Sequence, residues 1–346
     1  MGLLLSMDVG SENIHLVEGS FLKGTITVEN QNLYQIPKSA FDSGALINEE
    51  AFTECMNDAI NEMQIKTKDI VITINAAGAV IRDIDLPAAK PKEIDQMIKT
   101  ELYQTYQVLK SDIIQYKLVE KLTGDNGQIL NRYRAATIDE DIVRSYRQTA
   151  LKLKLKPVAM DININSIDKL FSLEMMINGT LLDGAATMAI DMGAKSTTIY
   201  ILSKGKPAFF RQIPIGASEI ESILHDETYT AISEIKKFKE ESFNFFSENE
   251  ASKNYFNFLK KYFYNLNDEI RKIMGFYSSR FSNMSIEQIY LFGGGSSLAG
   301  LAEYWTSNFN IPVQQINDIS RIKFKNQANS ISVHNHLNAI GALIRY

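Results

Sequence analysis

Apolar residues near the start of the chain come in short blocks and alternations of strand length, broken by Gly and polar residues. They predict strands over 3–9, 13–20 and 24–29. The period then changes. Ala51, Phe52, Cys55, Met56, Ala59, Ile60 and Met63 fall on one face of a helix over 49–63. The run Asp69-Ile70-Val71-Ile72-Thr73-Ile74 reads as a buried strand. Segments 115–120 and 129–136 read as a hairpin around Thr123-Gly124-Asp125-Asn126-Gly127, and 138–153 as a helix. A short strand from Pro157 runs into a helix start at Asp161. Farther on, Phe256, Leu259, Phe263, Leu266, Ile270, Ile273 and Tyr277 recur at helical spacing, which predicts a helix over 254–281 whose aromatic stripe is core. The stretch 220–263, rich in Glu, Lys, Asn and Phe, carries the weakest pattern.

One local pattern occurs twice. Leu5-Ser6-Met7-Asp8-Val9-Gly10-Ser11-Glu12-Asn13-Ile14-His15-Leu16 and Ala189-Ile190-Asp191-Met192-Gly193-Ala194-Lys195-Ser196-Thr197-Thr198-Ile199-Tyr200 both join two β-rich runs through Asp-x-Gly and small polar residues. Such a turn leaves backbone N–H groups free to face an anion. The Asp at its mouth is placed to hold a hydrated metal ion against phosphate. Two copies predict two related halves gripping one nucleotide. A third element, Ile289-Tyr290-Leu291-Phe292-Gly293-Gly294-Gly295-Ser296, takes a buried strand into three glycines, with Ser296 as the expected helix N-cap. Without Cβ atoms, a flat ligand can lie directly on that backbone.

Composition narrows the class. The 346 residues suffice for two lobes and a small subdomain, and 45% hydrophobic with 22% charged residues is ordinary for a globular protein. A formal net charge of −5 argues against nucleic acid as partner. The lone Cys55 cannot close an internal disulfide and suits a reducing, cytoplasmic setting. Its place on a helix face favours a packing role over a nucleophilic one. No leader is expected from Met1 to Leu5, and no run approaches the roughly 20 apolar residues of a membrane helix. Direct membrane insertion is therefore not expected.

Taken in order, these elements and the small-residue run Asn338-Ala339-Ile340-Gly341-Ala342-Leu343-Ile344 resemble the actin-like ATPase superfamily. In detail the chain resembles the PilM family of type IV pilus assembly, and more distantly the division protein FtsA. The runs Arg82-Asp83-Ile84-Asp85-Leu86-Pro87, Lys92-Glu93-Ile94 and Asp112-Ile113-Ile114-Gln115-Tyr116-Lys117-Leu118-Val119 look like the subdomain inserted in PilM and FtsA. The resemblance implies an α/β, actin-like (ribonuclease H-like) two-lobed fold with an FtsA/PilM-type inserted subdomain. The first lobe would take 1–79, 156–183 and 317–346, the subdomain 80–155, and the second lobe 184–316.

Matched positions imply ATP and Mg²⁺ as ligands. Asp8 and Asp191 would hold the metal; Gly10, Ser11 and Asn13, with Gly193, Ser196 and Thr197, would cradle phosphate. Gly293, Gly294, Gly295 and Ser296 would lie under the adenosine and α-phosphate, and Glu234 and Lys236 would flank the ribose and base. His15 stands where the family commonly has Lys, and reads as a strand residue with an ordinary hydrogen bond rather than a phosphate contact. Asn163 replaces a longer acidic or amide residue, which implies at most a slow ATPase. The implied partner is a PilN-like inner-membrane protein, whose cytoplasmic N-terminal tail would dock between the first lobe and the subdomain. That tail would recruit the chain to the inner face of the membrane, since no FtsA-type amphipathic helix follows Ile344-Arg345-Tyr346. Self-association is a further expectation of the family. The alternatives are an FtsA-like filament-forming division protein and a small-molecule kinase on the same fold.

Overall fold

The computed structural model describes residues 2–37, 40–42, 45–75, 79–106, 108–123, 127–172, 174–182, 186–280, 285–326 and 333–345. The expected hairpin turn at 124–126, the lobe boundary at Gly184 and the helix end at Phe281 lie outside these residues.

Two sheets repeat one plan. In the first, the strands run Lys156–Ile162, Asp69–Ile74, Leu4–Val9, Asn13–Leu22, Thr25–Gln35 and Ile322–Phe324. In the second they run Val313–Gln315, Ile286–Phe292, Ala186–Met192, Thr197–Ser203 and Lys206–Ile213. Each begins with an antiparallel meander, and each Asp-bearing strand then pairs in parallel with a later strand. Leu4–Val9 is buried throughout, as its near-continuous apolar sequence requires of a central strand. The third strand extends six residues past the expected end at 29, to Gln35, because its outer half pairs with Asn13–Glu18.

Two short helices, Asn163–Phe171 and Leu337–Ala342, lie between the sheets. Their apolar residues join Val71 of the first sheet and Ala189, Tyr200 and Phe292 of the second in one central core. Phe171, Tyr200 and Phe292 pack with ring centroids 6.1–6.4 Å apart. The helices cross at Gly341, where any Cβ would collide with the Ser166 carbonyl oxygen. The first of them starts at Asn163, not at Asp161. The Asp161 side chain is taken up elsewhere, accepting from Asn165 at 2.7 Å and from Lys169 at 2.7 Å.

A three-stranded sheet of Ala79–Pro87, Ile129–Ile138 and Ile113–Thr123 is backed on one face by helix Pro91–Thr105. Ile94, Ile98 and Leu102 on that helix pack with Ile84, Leu86 and Ala135. Helix Glu140–Lys152 does not join this subdomain. It buries Tyr146 and Ala150 in the outer core of the first lobe, against Phe52 and Met56. The packing unit of the subdomain thus ends near Ile138 rather than at 155. The weakly patterned stretch resolves into helices Ser218–Thr228 and Ile232–Glu241, followed by the long helix Glu250–Arg280. Its Leu259, Phe263, Leu266, Ile270, Ile273 and Tyr277 are core, as expected.

Gly341→Ala is expected to lower stability by about 1–3 kcal/mol through this crossing, read as a drop in unfolding midpoint. Gly275→Ala, in the long helix with open space around its Cβ position, should be neutral or stabilising.

Candidate functional site

The two Asp-x-Gly turns have matching backbone geometry. Gly10 N–H donates to the Asn13 carbonyl at 2.9 Å, and Gly193 N–H to the Ser196 carbonyl at 3.0 Å. Asp8 lies opposite His15 across its hairpin, and Asp191 lies opposite Thr198 across the other. The turns face each other across a cleft of about 350 Å³ between the sheets. Asp8, Gly10, Ser11, Asn13, Asp191, Gly193, Ser196, Lys236 and the glycines at 293–295 all line it. Gly293 has φ +81°, and a Cβ there would strike the Asp191 carboxylate, so both the turn and the site require glycine.

Three expected residues point elsewhere. Thr197 pairs with Met192, which turns its side chain into the core, where the hydroxyl donates to the Ile215 carbonyl at 2.7 Å; Thr198 lines the cleft instead. Ser296 is buried and donates to the Gly293 carbonyl at 2.7 Å, closing a short 3₁₀ turn over 294–297. The following α-helix starts only at Leu301, so Ser296 is not its N-cap, and Ser297 lines the cleft. Glu234 is exposed and does not line the cleft, because it lies on the outer side of helix Ile232–Glu241. Lys236 does reach the cleft, and its Nζ pairs with Glu12 of the first turn at 3.1 Å.

Among the lining residues that sequence reasoning missed are two polar pairs. Glu221 and Lys239 come from consecutive helices and pair at 2.7 Å, with Glu221 Oε2 buried and without a partner among the described residues. Asn335 and Asn338 come from the C-terminal segment, and each has a buried Oδ1 without a partner among the described residues. His15 differs from its expected ordinary hydrogen bond. Its ring packs edge-on to His336 at 5.2 Å, Nδ1 has no partner among the described residues, and burial lowers its pKa to about 4. The ring is therefore neutral at pH 7 and brings no charge to the cleft. The Cys55 thiol has its pKa raised by burial, in keeping with a packing role.

The electrostatics centre on Asp8 and Asp191, 6% and 7% exposed. Burial and the facing Asp191 charge push Asp8 up to about 8, and burial pushes Asp191 up to about 6. Two buried carboxylates facing each other cannot both ionise cheaply without a cation. That donor set fits a hard divalent ion completed by water and phosphate oxygens. No group of three or more His, Cys, Asp or Glu that could hold a metal exists among the described residues.

A second cleft of about 350 Å³ lies between the open face of the subdomain sheet and Lys156–Ile162, the edge strand of the first lobe. Its walls combine apolar residues, among them Ile81, Ile113, Met160, Ile162 and Ile164, with the charged Lys117, Arg134, Asp161, Asp168 and Arg345. Arg134 anchors it, donating to Asp83 at 2.8 Å and Asp168 at 2.7 Å, with its guanidinium 4.8 Å from the Phe210 ring centroid of the second lobe.

Two lobes of matching sheet order around a cleft with paired acidic turns define an actin-like ATPase fold. The sequence profile of the family described as type IV pilus assembly protein PilM matches residues 6–345, and the chain belongs to that family. Of the three functions open at the level of sequence, this membership selects pilus assembly. A solved PilM-PilN type IV pilus biogenesis complex matches with TM-score 0.81 at 16% identity, over 98% of this chain and 97% of that one. MreB5 of Spiroplasma citri bound to AMPPNP matches with TM-score 0.53 at 10% identity, over 98% and 94%. The ethanolamine utilization protein EutJ from Carboxydothermus hydrogenoformans matches with TM-score 0.52 at 11% identity, over 99% and 89%. Among the described residues, no helix is long and apolar enough to cross a membrane.

The raised Asp8 pKa fixes a pH dependence. Between pH about 4 and about 8 the folded chain holds a proton that the unfolded chain has released, so the Asp8 contribution to stability falls as pH rises. Asp8→Asn should therefore stabilise the nucleotide-free protein at pH 8 by about 1–3 kcal/mol and leave it nearly unchanged at pH 4. Urea unfolding of both proteins at the two pH values checks this.

Proposed function

We propose that this chain is a nucleotide-binding scaffold of type IV pilus assembly. It holds Mg-ATP between its lobes and the cytoplasmic tail of a PilN-like inner-membrane protein in its second cleft. The observation that carries the nucleotide reading is the matched pair of acidic turns meeting in one cleft. Asp8 and Asp191 would hold Mg²⁺, chiefly through water, and the ion would neutralise phosphate charge. The Gly10–Asn13 and Gly193–Ser196 turns offer backbone N–H groups to the phosphates. Gly293, Gly294 and Gly295 would carry the adenosine. Glu221 and Lys239 replace Glu234 as the polar pair for the ribose, since the free Glu221 oxygen can accept from a hydroxyl.

Support for the partner comes from the second cleft. An edge strand beside a partly apolar channel suits an extended peptide that pairs its backbone and fills pockets with alternate side chains. Such a tether would bring the chain to the inner face of the membrane. Turnover is expected to be slow, because Asn163 is the cleft residue nearest in sequence to the family's water-orienting position, and its Oδ1 already accepts from Ile164 N–H at 2.9 Å.

Calorimetry should find Mg-dependent ATP binding that Asp191→Ala weakens by about 1–3 kcal/mol. Absence of any binding at millimolar nucleotide would reject the site. ATP turnover without partner should fall far below the enzyme median of about 10 per second. The partner's N-terminal peptide should shift resonances of Ile81, Ile113 and Ile162. Shifts confined to residues 186–280 would reject the docking cleft while leaving the nucleotide site standing.

A further inference from the structure

The second connecting helix contributes one polar side chain to the acidic pair. Asn338 lies in Leu337–Ala342, among otherwise apolar and small residues, and faces the cleft. Its Nδ2 donates to Asp191 Oδ2 at 3.1 Å. The same amide also lowers the Asp8 pKa, against the larger effect of burial. Its Oδ1 is buried with no partner among the described residues, in a cleft wall shared with both carboxylates. A buried acceptor left open beside two acids is costly unless a donor arrives with the ligand.

We propose that Asn338 is the positioning residue of the cation site: its amide nitrogen orients the Asp191 carboxylate, and its Oδ1 accepts from water bound to the cation. This rests on the Mg-nucleotide reading above. The amide reaches from a helix packed on the first sheet to a carboxylate of the second, so it ties the two lobes at the site. A residue that orients ligands in this way sets metal affinity without touching the metal.

The test measures ADP binding by calorimetry across a Mg²⁺ titration, together with binding of Mn²⁺ in the presence of ADP by electron paramagnetic resonance. Asn338→Leu should raise the Mg²⁺ concentration needed for half-maximal binding by about 10- to 100-fold, and weaken Mn²⁺ equally, while metal-free ADP affinity stays the same. Asn338→Asp keeps the shape but loses the donor and adds a third negative charge. It should lower the unfolding midpoint at pH 8, and Mg²⁺ alone, without nucleotide, should restore it. This second variant carries the test should Asn338→Leu fail to fold. Wild-type protein that binds ADP with both variants showing wild-type metal dependence overturns the Asn338 assignment alone. Wild-type protein that binds no Mg-ADP overturns the nucleotide reading and this inference with it.

Discussion

The structure is organised around two buried carboxylates of like charge. Asp8 and Asp191 come from different lobes, yet lie buried in one cleft. Bringing them together costs free energy that neither lobe recovers by itself. Protonation, the Asn338 amide or a divalent cation with phosphate can each relieve that cost, and only the last also fills the cleft. The site is thus an unfavourable arrangement in the free protein that a ligand makes favourable. The rest of the fold holds it in place: matched central strands set the two acids, and helices Asn163–Phe171 and Leu337–Ala342 fix the distance between lobes.

The same elements carry the second cleft. On one strand Ile74 faces the subdomain while Asn75, just beyond it, faces the cleft between the lobes. On the next strand Ile162 and Asn163 divide in the same way. The two cavities thus share walls one residue thick. Arg134 joins the subdomain to the connecting helix through Asp168 and touches the second lobe at Phe210.

Much of this was legible in the sequence because its signals are local. An Asp-x-Gly turn between apolar runs is complete within a dozen residues, and its repetition revealed the two halves. The long aromatic helix followed from period alone. What failed depended on phase or distance. Thr197 and Thr198 are adjacent, and strand alternation counted from Asp191 decides that only Thr198 faces the cleft. His15, opposite Asp8, marks the same position in the first hairpin and could have served as the guide. Glu221 and Lys239 meet across two helices whose order the mixed composition hid. Asn338 reaches Asp191 from 147 residues away, and no local pattern announces such a contact. Helix Glu140–Lys152 follows the subdomain in sequence but packs on the lobe, because only tertiary contact tells one apolar face from another.

The most direct test of this account is the proton count on ligand binding. Mg-ADP titrated at pH 7 into buffers of different ionisation enthalpy gives the number of protons released. If a cation replaces the proton held on the Asp8–Asp191 pair, release approaches about one proton and disappears in Asp8→Asn. Tight Mg-ADP binding with no proton release at pH 7 would contradict the account, since the pair would then already be ionised in the free protein.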